Sequence, residues 1–239
     1  NETLWVNKML QAFWMGYTTR CHHYASKALE LTPAIGNHNR LVILFYSTLN
    51  SFRGIKKSKG GGSQFRKMKP LYNEAITLLR TAVELSPEIY KSNKNLLEAE
   101  LFSYKKNNQL AKLTYDSAIA SSKYIHEKGL ACEQAGLHYE KVGDSSEALK
   151  YYQQASQCYK EWGSQMKVDA MSRIINGRHR QAQGESTTET TMLSTQQVVE
   201  EKPAAQSSQP NKFQVASTTP QTTASVHTAI QVTSVEAIY

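Results

Sequence analysis

A pattern that recurs after 37 residues constrains this chain more than any other feature. Ala111, Tyr115 and Ala118 of "LAKLTYDSAI" align with Ala148, Tyr152 and Ala155 of "EALKYYQQAS", each pair 37 positions apart. Upstream, Ala99 and Phe102 pair with Gly136 and Tyr139 at the same offset. An earlier copy lies in "EAITLLRTAVELSP", where Ala75, Leu79, Ala82 and Pro87 keep the internal spacing. A weaker one is "CHHYASKALELTP", with Cys21, Ala25, Ala28 and Pro33. A fixed period of this size marks a repeat architecture, because one unit cannot cover its own apolar face and must stack on the next.

The spacing also says what the unit is. A small residue, a large one four later and a small one three after that all fall on one face of a helix. The small residues admit a neighbouring helix, and the large one fills the hole between. The upstream pair of Gly or Ala with an aromatic marks a preceding helix, so each repeat reads as a helical hairpin. This predicts helix pairs over 2–15 with 17–31, 39–53 with 68–86, 89–106 with 109–125 and 128–142 with 145–162, and a closing helix over 164–176. Asp144 followed by Glu147 reads as a capping box, Gly143 ends the helix before it, and Gly163 stops the helix after Trp162. Pro33 and Pro87 are expected to close two earlier helices. The expected fold class is all-α.

Composition divides the chain near residue 180. Residues 181–239 hold 18 Ser or Thr and few large apolar groups, so they cannot bury enough surface to offset the entropy of ordering them. The division expected is a helical repeat domain over 1–178 and a disordered Ser/Thr-rich tail over 179–239. The formal charge of +8 is uneven, with 26 Lys and Arg against 15 Asp and Glu over residues 1–180. Seven of those cations, Arg53, Lys56, Lys57, Lys59, Arg66, Lys67 and Lys69, fall in one acid-free stretch. That stretch reads as a basic, Gly-rich insertion at about 54–67 between two helices.

The pattern Gly136, Tyr139, Ala148, Tyr152 and Ala155 resembles the tetratricopeptide repeat (TPR). That resemblance implies a right-handed superhelical array of antiparallel helix pairs whose grooves bind peptides or neighbouring domains. Most of residues 1–175 further resembles the helical region that follows the ATPase domain in very large signalling chains. The landmarks are "LLEAEL", "YDSAI", "CYKEWGSQMKV" and "AFWMGYTTRCHHYASKA". Those chains join a protein-kinase-like domain, an AAA/STAND-type ATPase, this TPR-like array and often GAF and histidine-kinase domains. The resemblance implies a non-catalytic regulatory or sensing arm of an ATP-dependent signalling protein, and the start at Asn1 fits a piece of something longer. The partner it implies is protein: the ATPase or kinase domain of the same chain, or a peptide.

Motifs for chemistry are absent in recognisable form. After Gly54 and Gly60 no Lys-Ser or Lys-Thr completes a phosphate-cradling loop, and no GxSxG, HExxH or EF-hand signature occurs. Catalytic, cofactor and metal residues are therefore expected to be none. Cys21, His22 and His23 are adjacent, so on a helix they point apart and cannot converge on a metal. His126–Glu127 lies beside a predicted turn ending at Gly129, an unsuitable place for a phospho-accepting histidine. The three cysteines, Cys21, Cys132 and Cys158, are odd in number and unpaired in sequence, as in a reduced, cytoplasmic chain. No apolar run reaches the ~20 residues a membrane span needs. Trp162 and the repeat residues are assigned to packing. The basic residues 53–69 are read as a solvated insertion, with electrostatic contact to an acidic partner, RNA or anionic lipid as the alternative. Phe65 alone offers too little stacking for nucleic acid.

Overall fold

The computed structural model describes residues 1–32, 38–57 and 61–193. Among them it contains nine α-helices and no strand: α1 Glu2–Trp14, α2 Thr18–Leu31, α3 His38–Lys57, α4 Gly61–Leu85, α5 Pro87–Tyr104, α6 Asn108–Ala120, α7 Ile125–Val142, α8 Ser145–Glu161 and α9 Gln165–Leu193. Each helix packs on the next one in the chain, and α1, α3, α5 and α7 also pack on one another in that order. No described helix is long and apolar enough to cross a membrane.

The repeat residues are the inter-helix core. Cys21, Ala28, Ala75, Leu79, Ala99, Ala111, Tyr115, Ala118, Ala148, Tyr152 and Ala155 have no solvent exposure, and Ala25 almost none. Gly136 shows why the small positions must be small. A Cβ there would lie 2.7 Å from Tyr152 Cε1, inside any tolerable contact, so the ring occupies the space a side chain would need. Gly129 faces Tyr159 in the same way, at 2.9 Å. Tyr139 stacks on Tyr151 at 5.4 Å, and Tyr151 donates to Asp116 Oδ1 at 2.6 Å, tying the last two hairpins together. Phe102 and Ala82 are only partly buried, and Trp162 is 38% exposed, so these three lie at the margin of the core.

Helix ends follow local chemistry. Asp144 Oδ1 accepts from Glu147 N–H at 3.0 Å, and Asn107, 37 residues earlier, accepts from Leu110 N–H at 3.2 Å. The reciprocal half of the capping box is not made, because Asp144 N–H bonds to Tyr139 O instead. Gly143 and Gly163 adopt the left-handed conformation, with φ of 91° and 80°.

Several expectations need correction. Pro87 opens α5 at its first turn, where its missing N–H costs nothing, rather than closing α4. Gly129 lies inside α7, which starts at Ile125. Most of the expected basic insertion is helical. α3 continues to Lys57, and α4 starts at Gly61 and runs through Pro70. The glycine triplet and the proline argue locally for a loop, but the early part of α4 has a partner. Phe65 stacks on Tyr104 at 4.0 Å and Met68 is buried. Helix α9 extends to Leu193, past the end expected at 176. The tail from 194 onward, Pro33 and Lys59 lie outside the described residues.

Candidate functional site, a buried ionic hub

The extension of α3 places Arg53 and Lys56 three residues apart on one helix face, turned into the interior. This corrects their reading as solvated groups of an insertion. Each meets a carboxylate from the first helix of a later hairpin.

The first cluster centres on Glu133 of α7, whose side chain is 11% exposed. Its Oε1 lies 3.4 Å from Arg53 Nη2 of α3. Its Oε2 accepts from Lys167 Nζ of α9 at 2.7 Å and from the Tyr159 hydroxyl of α8 at 2.5 Å. Four helices therefore meet at one carboxylate. Burial alone would raise the Glu133 carboxyl, but Arg53 and Lys167 overcome it and hold the group down at about 2. The Arg53 guanidinium also lies 4.2 Å over the Phe13 ring. With the Gln134 amide oxygen turned toward it, Gln134 accepts from Nε and Nη2 at 2.8 and 2.9 Å.

The second cluster centres on Glu100 of α5, which is fully buried. Its Oε1 accepts from Lys56 Nζ at 2.8 Å and from the repeat tyrosine Tyr115 at 2.7 Å. Burial pushes the Lys56 ammonium down and the Tyr115 hydroxyl well up, and Glu100 offsets part of the first effect. His138 stands 5.5 Å from the Tyr115 ring and shares a 2.8 Å hydrogen bond with Ser103 through Nδ1. Burial, with Lys56 and Lys141 nearby, lowers His138 to about 4, so its imidazole is neutral near pH 7. Lys56 Nζ also lies 3.4 Å from the Gln134 carbonyl oxygen, joining this cluster to α7.

An aromatic group seals one side of the hub. Trp14 of α1 lies 5.1 Å from Trp162, 6.3 Å from Tyr159 and 6.3 Å from His126. Lys167 Nζ sits 5.0 Å from the Tyr159 ring centre and 5.9 Å from that of Trp14. The first helix thus touches the last hairpin. Trp162, assigned to packing, lies against α1 as well as against His126 and Tyr159 of its own hairpin. His126 sits among these rings, and burial lowers it to about 4.

The remaining singled-out residues do not join the hub. Arg66, Lys67 and Lys69 are exposed on α4. Nothing is described of the Lys57 side chain. Cys21 faces the core while His22 and His23 are exposed. Cys132 of α7 and Cys158 of α8, distant in sequence, are both buried; Cys132 Sγ donates to Gln154 Oε1 of α8 at 3.7 Å, and burial pushes its thiol up to about 12. Two open surface clefts, of about 330 and 460 Å³, are not lined by any hub residue.

Sequence reasoning missed Glu100, Glu133, Gln134, His138 and Lys167. One signal was available. Glu133 and Gln134 sit inside "LACEQAG", a run of small and apolar residues typical of a buried helix face. A charge at such a place needs a partner, and the acid-free stretch 53–69 needed acids.

What the arrangement does chemically is hold helices together. Its charges are paired, although Glu100 Oε2 and His138 Nε2 are buried without a hydrogen-bond partner, and a charge pulled out of such a site leaves its counter-charge buried without compensation. Compared with known proteins, the chain matches no family model, no curated protein and no solved structure.

Proposed function

We propose that this chain is a non-catalytic interaction and coupling module, a TPR-like superhelical array serving as the regulatory or sensing arm of a larger ATP-dependent signalling protein. The single observation that carries the coupling part is the convergence of α3, α7, α8 and α9 on Glu133. A displacement of α9 moves Lys167, and Glu133 must then either follow, leaving Arg53 under-compensated, or stay and leave Lys167 without its counter-charge. Stacked repeats bend because each touches only its neighbours. The hub adds a rigid cross-link over that flexible frame, so a force on the last helix reaches the second hairpin. The larger signalling assembly rests on the sequence landmarks described above. In the runner-up reading the parent is an ATPase or kinase enzyme, and this chain is its regulatory fragment.

Hydrogen exchange on Glu133→Gln tests the coupling. The expected result is faster exchange in α3 and α9 together, with α4 and α6 little changed. Faster exchange confined to α7 and α8 overturns it. A phosphate-binding loop encoded upstream of Asn1 separates the enzyme-parent reading from a free-standing module.

A further inference from the structure

Two acid-free segments, 53–73 and 101–115, are distant in sequence and meet in the structure. The meeting point is the stacked pair of Phe65 on α4 and Tyr104 at the end of α5, with ring centres 4.0 Å apart. Arg66, Lys67 and Lys69 follow Phe65, and Lys105 and Lys106 follow Tyr104. All five are exposed. None forms an ion pair with a described residue, a state shared by exposed cations such as Arg20, Lys91 and Lys160, whereas others are paired. Lys27 pairs with Glu30, Lys150 with Glu147, and Arg80 with Glu98. Exposed cations without acids in either segment leave this corner a positive surface to which an acidic partner would be drawn.

Lys106 adds an independent observation. Among the described residues, positive φ occurs at Gly16, Gly143, Gly163 and Lys106, whose φ is 60°. Lys106 stands 37 residues before Gly143, at the equivalent turn between the helices of a hairpin. The next repeat uses glycine at this turn, as does the turn after α1. Here a lysine is kept in a conformation that disfavours side chains. An outlier of this kind is a reason to look for function.

We propose that this corner is a docking surface for an acidic protein segment with apolar side chains, a deepening of the interaction role proposed above, on which it rests. The chemistry favours protein over nucleic acid. The two aromatic rings are spent on each other, leaving no paired platform on which bases could stack. Four of the five cations are lysines, mobile point charges suited to scattered carboxylates rather than forked binders of phosphate. Leu110, in the first turn of α6 directly after the lysine pair, is 42% exposed and offers an apolar contact beside the charges.

The test is fluorescence anisotropy with the full chain and a labelled glutamate-rich peptide containing leucines, at low and high salt. A single-stranded oligonucleotide of equal charge and anionic phospholipid vesicles serve as competing probes. Binding to the peptide is expected to weaken with salt and to fall about tenfold in Lys105→Glu/Lys106→Glu and in Arg66→Glu/Lys67→Glu. A control with Lys91→Glu, Lys123→Glu and Lys160→Glu changes the net charge elsewhere and is expected to bind like the parent. Lys106→Gly is expected to raise the melting temperature and weaken the peptide complex. Equal loss in the control, tighter binding of the oligonucleotide or vesicles, or unchanged binding by Lys106→Gly overturns the proposal. The hydrogen-exchange test reads helices joined at Glu133 and not this corner, so either can fail without the other.

Discussion

Arg53 and Lys56 lie in the same acid-free stretch as Arg66, Lys67 and Lys69, yet the two groups live in opposite environments. The first pair is turned inward on α3 and neutralised by Glu133 and Glu100. The second group is exposed on α4 without acids. The difference teaches that a run of cations is not one feature. Whether a charge is solvated or internal depends on which helix face it occupies and on what lies opposite, and the opposing acids come from 44 or more residues away.

The largest test of this contrast is to remove the anion. Glu133→Gln leaves Arg53 and Lys167 buried without a counter-charge and is expected to cost about 3–5 kcal/mol in urea unfolding. Lys56→Met should cost a comparable amount by stranding Glu100, and the double variant with Glu100→Gln should recover most of the loss. Two additive losses would show that the pair is not coupled.

Acid should separate the groups next. The Glu133 carboxyl is lowered from 4.5 to about 2 in the folded protein. Its contribution is therefore fully present above pH 4.5 and lost as pH falls toward 2. His126 and His138 are lowered from 6.5 to about 4, so they also favour the unfolded chain as pH falls through that interval. Glu127 acts in the opposite sense. Burial raises it from 4.5 to about 7, so its penalty grows as pH rises through that range. Glu127→Gln should therefore stabilise the protein more at pH 8 than at pH 4, as read by melting temperature. Charge changes among the exposed cations should leave these profiles in place.

Smaller effects belong to the exposed corner. Lys106→Gly should add roughly 0.5–1 kcal/mol by relieving the left-handed lysine. Arg66→Gln/Lys67→Gln should alter stability by no more than about 0.5 kcal/mol, in contrast to the buried pair. A loss near that of Glu133→Gln would break the comparison.

Part of this molecule was legible in one dimension. The Ala–Tyr–Ala spacing located the inter-helix core because close helix packing needs a small residue at each contact, a demand met locally. Asp144, Gly143 and Gly163 marked helix ends for the same reason: caps and left-handed turns involve neighbours in sequence. Where local signals pointed one way and packing another, packing prevailed. Gly60, Gly61 and Gly62 with Pro70 suggested a loop, but Phe65 stacking on Tyr104 and Met68 buried beneath keep most of that segment helical. The same stacking joins two basic segments that no linear pattern links.

By itself, then, the sequence determined an all-helical repeat and most of the residues at its helix contacts, since periodicity is written along a single helix. Only the tertiary structure decided that Arg53 and Lys56 are interior, that Glu133 gathers four helices, and that Trp14 reaches Trp162. Buried ion pairs require partners brought together from distant segments. Which acid meets which base depends on the twist between hairpins, and no single segment carries that information.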